Sequence, residues 1–162
     1  RLTVRDLVTF GRFPYSKGNY TQDDKAHVER AIGYLGLGDL ADRFLDELSG
    51  GQRQRAFIAM VICQDTDYVL LDEPLNNLDI HHAVGIMHLI RNAATELGKT
   101  VVVVLHDINM AAAHCDRILV LKDGRVALHG TPEEVMDGPL LSDIYDAQIA
   151  VHSLADRLVA IY

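Results

Sequence analysis

The sequence predicts an α/β layered core with a helical segment ahead of it. Three observations support this. Between residue 49 and about residue 130, helical and extended patterns alternate. One extended run, Val101 to Leu105, is apolar at every position. That is the pattern of a strand covered on both faces in a mostly parallel sheet. Ahead of residue 49 the clearest periodicity is helical: Thr21-Gln22-Asp23-Asp24 opens a segment with Val28, Ala31, Ile32 and Leu35 on one face.

The elements follow in order. Gly11 to Tyr20 carries Pro14, Gly18 and Asn19 and should turn. The helix opened at Thr21 should stop at Gly36 and Gly38. Ser49 to Cys63 should form a second helix and Tyr68 to Leu71 a short strand. Ile80 to Leu97 should form a long helix, with its apolar stripe at Ile80, Val84, Met87, Ile90, Ala94 and Leu97 and its end at Gly98. Thr100 to Leu105 is a strand, and Ile108 to His114 a short helix. Ile118–Lys122 and Val126–Leu128 flank Asp123-Gly124, a hairpin signal. From Pro132 to Tyr162 the pattern is short helices, then one or two edge strands. Residues 1–48 are expected to be a helical subdomain and residues 49–162 the core.

Bulk properties narrow the function. The net charge of −8 over 162 residues argues against a general nucleic-acid surface, which needs a basic face. No run approaches the roughly 18 apolar residues of a membrane-spanning helix, and the front does not have the form of a signal peptide. Cys63 and Cys115 lack a pairing pattern and are expected to be buried thiols in a reducing compartment. Residue 1 is arginine rather than methionine, so a trimmed or truncated chain is expected.

Chemistry concentrates at four places. In Leu48-Ser49-Gly50-Gly51-Gln52, Ser49 and Gln52 form a capping box. The cap leaves Gly50 and Gly51 unexplained. Each costs a helix about 1 kcal/mol against alanine. Glycines at a helix start let an anion reach bare amides at the positive end of the dipole, so a phosphate contact is expected. Second, the strand ending at Leu71 runs into Asp72 and Glu73. Adjacent strand residues point to opposite sides, which predicts two jobs: Asp72 for magnesium, and Glu73 as general base toward water. Third, Asp79 can cap the helix beginning at Ile80, and a role at a site stays equally open. Fourth, His106 follows the Val101–Leu105 strand. Ligands of open α/β sheets bind at the carboxyl ends of strands, so His106 and the Asp72–Glu73 pair are expected to face one site. The other histidines, His81 and His82 among them, are expected to be surface or core residues.

A triphosphate site of this kind also needs a Gly-x-x-x-x-Gly-Lys-Ser/Thr loop between a strand and a helix. Gly98-Lys99-Thr100 imitates its end, but position 93 is alanine and the order of helix and strand is reversed. The loop is expected to belong to a front part outside this chain.

These residues resemble one family. Leu48 to Gln52 is identical to the signature motif of ABC ATPases. Val69 to Pro74 is similar to the Walker B strand with the catalytic glutamate, Leu75 to Asp79 to the D-loop, and His106 to the switch histidine. Leu75-Asn76-Asn77 departs from the usual start of the D-loop. Gly51 to Ala56, Leu105 to Asn109, Val4 to Val8 and Gly11 to Pro14 are similar to importers of iron(III)-siderophores, heme and cobalamin, and Pro74 to Asp79 to siderophore systems. The resemblance covers essentially the whole chain. It implies the C-terminal portion of a P-loop NTPase (RecA-like) core with a helical signature subdomain, and an ATPase with ATP and Mg2+ as cofactors.

The implied partners are a second ATPase subunit in a head-to-tail homodimer, membrane permease subunits and, indirectly, a substrate-binding protein, with no nucleic acid. The implied location is the cytoplasmic face of a bacterial membrane. By the same resemblance, Ser49, Gly50, Gly51 and Gln52 touch the γ-phosphate, Asp72 serves the metal, Glu73 and His106 act in catalysis, and Asp79 spans the dimer interface. Residues 3–14 lie near the membrane partner. Two other readings stand beside it: an ABC ATPase of DNA repair or translation, and a non-catalytic ABC-like regulatory module.

Overall fold

The computed structural model describes residues 1–155 and 157–162. The chain divides into two compact units, Arg1–Val104 and Leu105–Tyr162.

In the first unit, two helices pack on a longer third. α1 (Val4–Phe10) and α3 (Gln22–Tyr34) both lie on α4 (Gly50–Cys63), and a short α2 (Phe13–Ser16) falls inside the stretch expected to turn. Each long helix begins on a local signal. Thr21 caps α3, and Asp24 returns the bond to the Thr21 backbone. The core between these helices holds Val4, Val8, Ile32, Leu35, Leu37 and Ile58, all nearly sealed from water.

One polar group is buried among them. The Arg12 guanidinium donates to Asp24 at 2.9 Å and to the Cys63 carbonyl at 3.1 Å, and it lies over the Tyr15 ring. It therefore joins the turn after α1 to the start of α3 and the end of α4. Burial pushes the nearby Cys63 thiol up to about 11, so it stays protonated at neutral pH.

β1 (Tyr68–Asp72) and β2 (Thr100–Val104) pair in parallel, with Asp72 opposite Val104, and α5 (Ile80–Glu96) connects them. A parallel pair needs such a crossover. Two expectations are corrected here. The strand Thr100–Val104 is not covered on both faces: Val69 and Leu71 are buried, but Leu70 is 72% exposed and Val102 and Val104 are exposed beside it.

The apolar stripe of α5 also sits one row over. Its buried residues are Ala83, Ile86, Met87, Ile90 and Ala93, whereas Ile80 is 79% exposed. The expected stripe shares Met87 and Ile90 with this face but left out Ile86 and took Ala94 in place of Ala93. The helix instead packs through two alanines that allow close approach.

The second unit holds α6 (Ile108–His114), β3 (Ile118–Lys122), β4 (Arg125–Gly130), α7 (Pro132–Val135), α8 (Gly138–Tyr145), β5 (Ala150–Leu154) and β6 (Arg157–Ile161). β3–β4 and β5–β6 are antiparallel hairpins. The sheet content is therefore not mostly parallel: among the described residues, one pair is parallel and two are antiparallel. A two-residue connection at 123–124 cannot carry a parallel crossover. Ile108, Ile118, Val135, Met136 and Leu141 form this unit's core. The Asn109 side chain exchanges two hydrogen bonds with the Ala160 backbone and fastens α6 to β6. Cys115 is half-buried rather than buried. Among the described residues, no helix is long and apolar enough to cross a membrane.

Candidate functional site

The first turn of α4 is open. A helix start leaves its early amides without helical partners. Here the Ser49 hydroxyl accepts from the Gln52 amide at 3.3 Å, and Gln52 Oε1 accepts from the Ser49 amide at 2.9 Å. The first helical bond runs from the Arg53 amide to the Ser49 carbonyl. Among the described residues, the amides of Gly50 and Gly51 have no hydrogen-bond partner. Ser49 and Gly50 are exposed, Gln52 is half-buried, and Gly51 is buried. The arrangement can take an anion at the positive end of a 14-residue helix.

The segment after β1 reaches this turn. Leu78 Cδ2 lies 3.8 Å from the position a Cβ on Gly50 would take, and the His82 ring lies against Gly51. Asp79 caps α5 by accepting from the His82 amide at 2.9 Å, and it also binds His82 Nδ1 at 2.8 Å. These bonds hold the Asp79 carboxyl below its ordinary value, with the His82 amide contributing most. Ser49 to Gln52 and Asp79 are thus brought together.

Asp72 ends β1 and is exposed. Glu73 does not continue the strand, which corrects the alternation argument. Its φ of 47° is left-handed, a conformation that costs a non-glycine residue on the order of 1 kcal/mol. The two carboxylates differ because the chain turns sharply between them. Asn76 Nδ2 donates to Glu73 Oε2, and the Asn76 amide donates to the Glu73 carbonyl at 3.2 Å. Asn76 and His82 are the residues that sequence reasoning passed over. Asn76 had a signal, an amide three residues beyond an acid in a proline turn, whereas His82 had none.

His106 lies in the second unit, two residues beyond the end of β2, exposed and just ahead of Asp107. Asp107 caps α6 through the Asn109 and Met110 amides at 2.8 and 3.1 Å. Asp72 and the end of β2 lie side by side in the first unit.

Comparison with known proteins assigns the fold. A transporter of the metal-chelate type in an inward-facing conformation superposes with a TM-score of 0.88 at 26% identity, covering 99% of this chain and 67% of the other. The chain therefore has the P-loop NTPase fold of ABC ATPase domains.

The sequence comparisons are finer. The profile of the family described as "ABC transporter" matches residues 1–76. The petrobactin import ATP-binding protein YclP of Bacillus subtilis (strain 168) is 52% identical over all 162 residues. The petrobactin import ATP-binding protein FatE of Bacillus anthracis is 54% identical over the same span. Over its whole length the chain is similar to the ATP-binding proteins of ABC transporters. It spans 64% and 65% of the length of those two relatives.

Proposed function

We propose that the chain is the larger part of an ATP-hydrolysing subunit that powers import of an iron(III)-siderophore. It works as a head-to-tail dimer, bound to membrane permease subunits on the cytoplasmic face of a bacterial membrane. A substrate-binding protein delivers the cargo. The cargo class rests on the relatives, which are named for petrobactin import. The observation that carries the reading is the open turn of α4, where among the described residues the Gly50 and Gly51 amides have no hydrogen-bond partner.

In this reading the partner subunit's phosphate loop holds ATP, and Ser49, Gly50, Gly51 and Gln52 close on its γ-phosphate. Asp72 offers one hard oxygen donor to Mg2+. No group of three or more His, Cys, Asp or Glu among the described residues could hold a metal. This fits magnesium, which keeps several waters and takes one or two carboxylates together with phosphate oxygens. When bound, the ion neutralises charge on those oxygens. Glu73 takes the proton of the attacking water, with one of its carboxylate oxygens fixed by Asn76. His106 senses the γ-phosphate, and Asp79 lies at the dimer interface. Residues 1–48 form the subdomain that faces the membrane partner.

The test is ATP turnover by the full-length subunit assembled with its permease. Glu73→Gln is expected to lower kcat by about 100- to 1,000-fold while ATP still binds. Unchanged turnover would sink the assignment. The sequence holds no Gly-x-x-x-x-Gly-Lys-Ser/Thr run, so the 162-residue chain by itself is expected to turn over no ATP above background.

A further inference from the structure

The two glycines of the α4 turn are glycine for different reasons. A Cβ on Gly50 would meet Leu78 at 3.8 Å, an ordinary contact. Packing within the chain does not demand glycine there. A Cβ on Gly51 would lie 2.6 Å from His82 Cδ2 and 3.1 Å from its Cγ, closer than carbon atoms approach. The His82 ring occupies the space that any other side chain at 51 would need.

That ring is tethered. Its Nδ1 lies 2.9 and 2.8 Å from the two oxygens of Asp79. A carboxylate only accepts, so Nδ1 carries the proton. The same carboxylate accepts from the His82 amide at 2.9 Å. Side chain and backbone of His82 are thus tied to one residue. The His81 ring meets it edge-on, with centroids 5.4 Å apart. An ordinary surface histidine is neither tied at two points nor fitted into the vacancy of a glycine on another helix.

We propose that His82 is a positioning residue, whose Asp79-held ring sets the place of the first turn of α4 and joins that turn mechanically to the Asp79 segment. The proposal rests on reading the turn as the phosphate contact. A displacement of Asp79 then carries the ring, and with it the Gly50 and Gly51 amides.

The test is a double-mutant cycle in the full-length subunit with its permease: parent, Gly51→Ala, His82→Ala and the double variant. It is read by thermal melting and by ATP turnover. Gly51→Ala is expected to melt lower than the parent, and the double variant to regain most of that loss, because removing the ring makes room for the new methyl. His82→Ala is expected to lower kcat about fivefold with KM for ATP within about twofold, and the double variant to match it rather than fall to the Gly51→Ala level. Losses of Gly51→Ala that persist undiminished in the double variant overturn the contact. Parent-like turnover of His82→Ala, even with melting rescued, overturns the positioning role. Absent turnover in the parent overturns the ATPase reading and the positioning role with it, whereas the melting series still reports the contact.

Discussion

Asp24 is the carboxylate with the firmest hold in the first unit. The Thr21 amide, the Arg12 guanidinium and the Thr21 hydroxyl together lower it from 3.8 to about 2. A carboxyl depressed in the folded state binds its proton less readily than in the unfolded chain. Its contribution to stability is therefore complete above the unfolded value and is lost as pH falls through the folded value. The melting temperature is expected to drop as pH falls from 3.8 toward about 2. Asp24→Asn, which cannot titrate, should flatten that part of the profile. Parallel slopes for the two proteins over that window would refute the link.

The clearest test at the level of elements is the seam between α1 and α4. A Cβ on Gly11 would stand 2.2 Å from the Met60 carbonyl oxygen, a backbone atom that cannot step aside. Gly11→Ala is expected to cost about 1–3 kcal/mol in denaturant unfolding, as overpacking does. Gly33, in α3, has nothing within 4 Å of its Cβ position. There the same change is expected to be neutral or to stabilise by up to about 1 kcal/mol. Equal effects at the two positions would discredit the seam.

The elements legible in the sequence were those with local causes. Thr21 with Asp24 and Ser49 with Gln52 marked two helix starts, and Asp123-Gly124 marked the β3–β4 hairpin, because each signal acts within four residues. Thr3 with Asp6 carries the same pattern and marks α1, expected only as part of a helical segment, while Thr131 with Glu134 opens α7, within the short helices expected from Pro132. Non-local facts were illegible. Nothing near Arg12 says that its guanidinium will reach the end of α4. Nothing near His82 says that its ring will fill the space beside Gly51. Pleat alternation said that Asp72 and Glu73 differ, but the left-handed turn between them lies outside any periodicity.

Over the whole molecule, apolar side chains reach the surface in rows. Tyr68, Leu70, Val102 and Val104 are exposed on the β1–β2 pair, and Leu119, Leu121 and Val126 on the β3–β4 hairpin. Scattered exposed apolar residues are normal, but contiguous rows on a sheet are not. The chain by itself is expected to brighten an apolar-sensing dye and to show light scattering that grows with concentration. Leu70→Lys combined with Val102→Lys should reduce both. A clean monomer with no dye response would contradict this. These rows have a practical consequence, because the rest of the surface gives the chain a net charge of −8. A molecule with exposed apolar rows and an anionic remainder is a weak surfactant. It should collect at air–water boundaries and on hydrophobic resin at moderate salt, and losses on vessel walls should be heaviest in dilute solution.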